Sequence, residues 1–125
     1  MMHQVKLKRI YEPVGNEDGK RVLIDRLWPR GVKKEQARLD EWMKEIAPSP
    51  KLRRWFNHRP DRFEKFCELY QKELASDAGR RQLLEQICRY LKEDHVTFLY
   101  AAKDPIHNHA VVLKDWIMNQ YLEKG

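Results

Sequence analysis

Two stretches of the sequence concentrate residues able to do chemistry. The first reads Asp25-Arg26-Leu27-Trp28-Pro29-Arg30-Gly31, the second Ala101-Ala102-Lys103-Asp104-Pro105-Ile106-His107-Asn108-His109. Arg26 and Arg30 carry planar donor forks that match phosphate or carboxylate oxygens. Lys103 adds a positive charge. His107 is the residue type that moves a proton near neutral pH, and Asp104 or Asp25 could orient it. Asn108 is a natural helix N-cap, and the free N–H groups of the helix it opens would add to an anion site. Trp28 can stack on a base or a sugar. Each residue also has a plain structural alternative. Asp25 and Arg26 can pair with neighbouring charges, Asn108 can serve only as a cap, and Trp28 can pack in the core. Asp104 can be a turn former before Pro105, and His109 can be a surface residue of the first helical turn.

A third segment, Lys51-Leu52-Arg53-Arg54-Trp55-Phe56-Asn57-His58-Arg59, interleaves cations with aromatic rings. That composition suits nucleic acid, whose backbone meets the cations while its bases stack on the rings. The structural alternative is a short helix with Leu52, Trp55 and Phe56 on its buried side. His58 follows that helix and could approach the two loops.

Several other chemistries find little support. His107-Asn108-His109 spells the HNH nuclease letters, but the hairpin-and-helix context of that motif is missing. A metal site from His107, His109 and His58 is conceivable, without a spacing that marks it. The five glycines form neither a P-loop nor a dinucleotide fingerprint, and the sequence names no cofactor. Cys67 and Cys88 both fall within helical patterns, form no C-x-x-C unit, and read as reduced packing residues.

The two loops need elements to position them. Val5, Leu7 and Arg9 alternate with Lys6, Lys8 and Ile10, as on a half-exposed edge strand. Residues 15–19 form a turn. Val22-Leu23-Ile24 begins a second strand that runs on until Pro29 and Gly31 end it. Leu39, Trp42, Met43 and Ile46 follow helical spacing up to Pro48. Ser49-Pro50 looks like an N-cap with proline at the first helical position. Pro60-Asp61 opens a further helix, with Glu64 at capping-box spacing and a stripe of Phe63, Phe66, Tyr70 and Leu74. After a break at 76–79, Leu83, Leu84, Ile87, Cys88 and Leu91 mark another helix. Residues 96–102, VTFLYAA, are almost wholly apolar and read as a strand covered on both faces. The last helix runs from about 109 to 122, with Ala110, Leu113, Ile117 and Tyr121 on one side. The expectation is one α/β domain over residues 1–125. Its small, at least partly parallel sheet has about three strands, covered by about five helices. In such a sheet, ligands bind beyond the carboxyl ends of the strands. If the second and last strands are parallel neighbours, both loops open on the same side.

Composition sets the remaining bounds. The chain has 125 residues, 42% of them hydrophobic and 35% charged, and no apolar run long enough for a membrane span. No apolar leader opens it, which points to the cytoplasm. The net charge of +6 is uneven. Residues 1–60 hold 15 Lys and Arg against 8 Asp and Glu, and residues 61–125 hold 10 against 11. A positive first half attracts phosphates, nucleic acid or acidic surfaces. Two functional readings follow. The first is a strand-end pocket for a phosphate-bearing or other anionic small molecule, with His107 as general acid/base if it is catalytic. The second is a nucleic-acid-binding module using the basic first half.

Residues 22–32, VLIDRLWPRGV, resemble the signature of the YeaO-like family of small bacterial proteins, a family of unknown function. The likeness continues through Lys8-Arg9-Ile10-Tyr11, Glu45-Ile46-Ala47-Pro48-Ser49 and residues 52–58, LRRWFNH. It closes with residues 99–104, LYAAKD, and 107–110, HNHA, so it covers nearly the whole chain. The resemblance implies a bacterial or archaeal cytosolic protein and no particular activity. Its polar signature residues include Asp25, Arg26, Arg30, His58, Lys103, Asp104, His107 and Asn108, which the loop argument also selects.

Overall fold

A computed structural model describes residues 3–122, with side chains described through residue 120. Four strands form one sheet: β1 (Val5–Arg9), β2 (Lys20–Leu23), β3 (Glu41–Trp42) and β4 (Val96–Tyr100). Their order is β1-β4-β2-β3, and every neighbouring pair is parallel. Five α-helices accompany them: α1 (Lys34–Ala37), α2 (Pro50–Phe56), α3 (Phe63–Ser76), α4 (Ala78–Glu93) and α5 (His109–Ile117). The α/β class and the parallel sheet agree with the sequence reading. No helix among the described residues is long and apolar enough to cross a membrane.

Strand alternation explains the two cores. Val22 and Ile24 of the β2 segment, and Val96, Phe98 and Tyr100 of β4, join the main core with Phe66, Tyr70, Leu84, Ile87, Leu91 and Leu113 from the helices. Leu23 and Leu99 point the other way, into a smaller cluster with Ile10 and Ala37, flanked by Trp28, Leu39 and Trp42. All five residues of β4 are buried, as its apolar run implies.

Several elements depart from expectation. The segment with Leu39, Trp42, Met43 and Ile46 is not a helix. It forms the short edge strand β3 and then a 3₁₀ turn, Lys44–Ile46. Backbone bonds from Asp40 N to Arg21 O and from Met43 N to Leu23 O tie it to β2. Its apolar residues accordingly divide between the two cores instead of sharing one helical face. The second strand ends at Leu23, not near Gly31. Asp61 makes no helix cap and pairs instead with Arg59 at 3.0 Å. Trp55 is exposed, with the Arg62 guanidinium over its ring, while Leu52 and Phe56 are buried. Cys67 and Cys88 are free and half-buried, and burial pushes both thiols up, away from the reactive thiolate. The Tyr121 side chain lies outside the described residues.

Other signals held. The Ser49 hydroxyl accepts from Leu52 N, with Pro50 at the first helical position. Asn108 caps α5 through Val111 N. Gly19 holds φ +67° where an added Cβ would fall 2.1 Å from the His95 carbonyl oxygen. That close approach lets Lys20 N bond His95 O and sets β2 beside β4.

One buried ion cluster secures the start of β2. Arg21 Nη1 lies 2.6 Å from Asp18 Oδ2, Lys8 Nζ lies 3.0 Å from Asp18 Oδ1, and the Arg21 fork also donates to Ala37 O. Burial alone would raise the Asp18 pKa, but the Gly15 N–H and the two cations together hold it below the usual carboxylate value. An Asp whose folded pKa is lowered contributes stability above its unfolded value and loses it as pH falls through the folded value. Asp18→Ala leaves Arg21 buried without its carboxylate. It should cost about 3–5 kcal/mol in urea denaturation at pH 7. The difference from wild type should narrow below roughly pH 4, where the unfolded chain's carboxylate starts to protonate ahead of the native one.

Candidate functional site

The parallel pairing of β2 and β4 brings the two chemistry-bearing loops to one end of the sheet. The Asp25 carboxylate locks them together, since its Oδ2 accepts from Ala101 N at 3.0 Å, across 76 residues of sequence. Beyond this clasp opens a cavity of about 610 Å³. Asp25 and Arg26 line it from the first loop, and Lys103, Asp104, His107, Asn108 and His109 from the second. Arg53, Phe56 and His58 enter from α2 and the turn after it, and Ala47, Pro48 and Phe66 complete the wall.

Each imidazole of the second loop has its own carboxylate. His107 Nδ1 lies 2.8 Å from Asp104 Oδ2, and its ring stands edge-on to Phe63. Donation from Nδ1 to the carboxylate leaves Nε2 for a ligand. Asp104 Oδ1 also accepts the backbone N–H groups of Ile106 and His107. These two bonds, with the His107 ring, hold the Asp104 pKa down to about 2. His109, the first residue of α5, places Nε2 3.0 Å from Ile24 O and 3.2 Å from Asp25 Oδ1. A carbonyl can only accept, so Nε2 carries the hydrogen. Asp25 therefore stands beside His109, not His107, and Asp104 alone orients His107.

The cations fall into two groups. The Arg26 fork makes long contacts of 3.3–3.4 Å to the carbonyls of Ala47 and Pro48, and Nη1 lies 3.6 Å from Glu45. It lines the pocket with its donors partly engaged. Lys103, Arg53 and His58 are exposed and have no side-chain partner among the described residues. The backbone aims His58 by an unusual route: Asn57 and His58 are consecutive left-handed residues, at φ 47° and 54°. Non-glycine residues in that region are uncommon and often stand at ligand sites.

Two expected site residues do not line the cavity. Trp28 donates from Nε1 to Val32 O and packs edge-on against Trp42, as the core alternative had it. Arg30 is exposed, and its carbonyl accepts from the Tyr11 hydroxyl. Conversely, the sequence reading considered Arg53 only for nucleic acid or as part of a short helix, and treated His109 only as a surface residue or a metal ligand. The signal for His109 was its place just after the Asn108 cap, where the first turn of α5 faces the strand ends. Among the described residues no group of three or more His, Cys, Asp or Glu side chains could hold a metal ion.

Comparison with known proteins gives the family. The Inactive DUF488-N3 subclade matches residues 4–125. The chain belongs to this YeaO-like DUF488 family. The Uncharacterized protein YeaO of Escherichia coli (strain K12) is 44% identical over 113 residues, covering 90% of this chain and 96% of that protein. The Uncharacterized protein Rv3073c of Mycobacterium tuberculosis (strain ATCC 25618 / H37Rv) is 39% identical over 110 residues, covering 88% and 90%. No solved structure matches the chain. The family resemblance read from residues 22–32 therefore holds for the whole DUF488 segment.

The Asp104 geometry yields a direct check. In a carboxyl NMR titration, Asp104 should titrate at about 2, below the ordinary 3.8. His107→Ala should move it only part of the way up, since the backbone bonds from Ile106 and residue 107 remain. A return to the ordinary value would mean that the side chain alone sets it.

Proposed function

We propose that the cavity beyond β2 and β4 binds a small organic anion, phosphate- or carboxylate-bearing. The observation that carries this reading is that Lys103, Arg53 and His58, without side-chain partners among the described residues, all line one cavity. Charge-assisted bonds from such groups are stronger than neutral ones. The carboxylates in the site do not oppose an anion strongly. Asp104 is balanced by two N–H groups and the His107 ring, and Asp25 by Ala101 N with His109 alongside. The start of α5 adds the positive end of its dipole. Phe56, Phe66, Pro48 and Ala47 give the cavity an apolar wall for the body of the ligand.

The description of the family as inactive favours binding without turnover. A second reading, an enzyme with His107 as general acid/base, is favoured by the Asp104–His107 pair, which leaves Nε2 available. The nucleic-acid reading is weakened by the use of first-half cations inside the fold: Arg21, Lys8 and Arg9 all bond to protein acceptors.

Isothermal titration with phenyl phosphate and with benzoate tests the proposal. At least one should bind saturably, and the double variant Arg53→Ala/Lys103→Ala should weaken it at least roughly tenfold. The melting temperature of the unliganded variant should stay close to wild type, because both side chains are exposed. Failure of both probes to bind, or unchanged binding by the variant, contradicts it. NMR of the ligand after long incubation should return it unaltered; conversion that His107→Gln abolishes would establish the catalytic reading instead.

A further inference from the structure

One ring nitrogen in the cavity changes its hydrogen-bonding role with pH. His107 Nδ1 is fixed 2.8 Å from Asp104 Oδ2, and Phe63 meets the ring edge-on. Nε2 makes no bond among the described residues, and the His107 side chain is 34% exposed where it lines the cavity. The fully buried side-chain nitrogens and oxygens without a partner among the described residues are Asp25 Oδ1 and Trp116 Nε1, so Nε2 of His107 is not sealed within the fold. With the Nδ1 hydrogen given to Asp104, a neutral imidazole presents a lone pair at Nε2, and an imidazolium presents an N–H. Histidine passes between these forms in the range from about pH 5 to 8. The oxygens of a bound anion repel the lone pair and accept from the N–H.

The charged neighbours of His107 come from every side of the cavity. Its own loop supplies Lys103 and Asp104, and His109 follows at the start of α5. Arg53 and His58 enter from α2 and the turn after it, and Asp25 and Arg26 from the first loop. From α3 it is the uncharged Phe63 ring that touches His107. Asp104, with a pKa of about 2, stays ionised while histidine titrates. The empty cavity thus sets three cations, Arg26, Arg53 and Lys103, against two carboxylates. An entering anion reverses that balance. A charge of opposite sign within about 4–6 Å favours the charged form of a group.

We infer that His107 takes up a proton as the anion binds and donates Nε2–H to it, so the cavity binds its ligand more tightly as pH falls. This rests on the anion-pocket reading and adds a fourth ligand contact to it, one that protonation switches on. The coupling is reciprocal, because an anion that favours the imidazolium is itself favoured by the proton, by the same factor. The extra affinity is fully present below the titration of the free imidazole and is lost as pH rises through that of the complex. Lysine and arginine do not titrate in that range, so Lys103 and Arg53 supply the part of the affinity that persists.

The test follows the histidine rings of the intact chain by NMR from roughly pH 5 to 9, free and saturated with benzoate or phenyl phosphate. The titration midpoint of His107 should rise by about one pH unit in the complex, equivalent to about tenfold in affinity across the range. His3 and His95 pack on each other ahead of β1 and β4, at the opposite end of the sheet, and their midpoints should not move. Calorimetry near pH 7, in two buffers of different ionisation heat, gives the second readout. The wild type should take up roughly half a proton per ligand, and His107→Gln less than half of that. A His107 midpoint that stays in place while the probe saturates the protein overturns the inference and leaves the anion pocket standing. Proton uptake undiminished in His107→Gln overturns it equally. If neither probe binds, both readings fall. Should His107→Gln not fold, the wild-type midpoints decide alone.

Discussion

The parallel pairing of β2 with β4 is the constraint on which the candidate site depends. It places residues 25–27 and 101–109 at the same end of the sheet, although a crossover containing β3 and the four helices α1–α4 separates them. The pairing is held at its start by the Lys20–His95 backbone bond and at its end by the Asp25–Ala101 clasp. Between those points Val22 and Phe98 bury themselves in one core and Leu23 and Leu99 in the other. The sheet's carboxyl end thus becomes a concave surface with α5 starting on it, the usual ligand position in open α/β sheets. The same crossover brings α2 and its left-handed exit to the opposite wall, and so delivers Arg53 and His58.

Asp25 has two tasks at this junction. One oxygen substitutes for a backbone acceptor where β2 leaves the sheet, and the other is buried beside His109. A carboxylate used in this way fixes the register of the two loops. Asp104 repeats the first task locally, folding the loop before α5 onto its own N–H groups and setting the His107 ring. Structure and recognition are therefore not separable by residue here.

The sequence disclosed most of the frame. Period-two alternation in residues 5–10 and the apolar run at 96–100 found the outer and central strands, and the caps at Ser49 and Asn108 located two helix starts to the residue. What it concealed has a common physical origin in tertiary competition. Leu39, Trp42, Met43 and Ile46 satisfy helical spacing, yet the open edge of β2 offers backbone partners to the same segment, and pairing wins over local propensity. Trp55 fits the buried stripe of α2, but the turn at Asn57 and His58 sets Arg62 over its ring and leaves it outside. The loop argument named seven residues that line the cavity: Asp25, Arg26, His58, Lys103, Asp104, His107 and Asn108. It also offered Trp28 and Arg30, which lie off the cavity: the strand ends at Leu23, Trp28 takes its core alternative against Val32 O, and the Arg30 carbonyl meets the Tyr11 hydroxyl. The uneven charge was also only partly a signal about partners, since Arg21, Lys8 and Arg9 are engaged within the fold.

Mapping a bound probe onto the chain tests the central claim most directly. Amide chemical shifts of isotope-labelled protein, followed through a phenyl phosphate titration, should move together at residues 25–27, 53–58 and 101–109 and stay still on the β3 edge. Shifts confined to the exposed face around Trp55, or spread over the basic residues of the first half, would contradict a strand-end pocket.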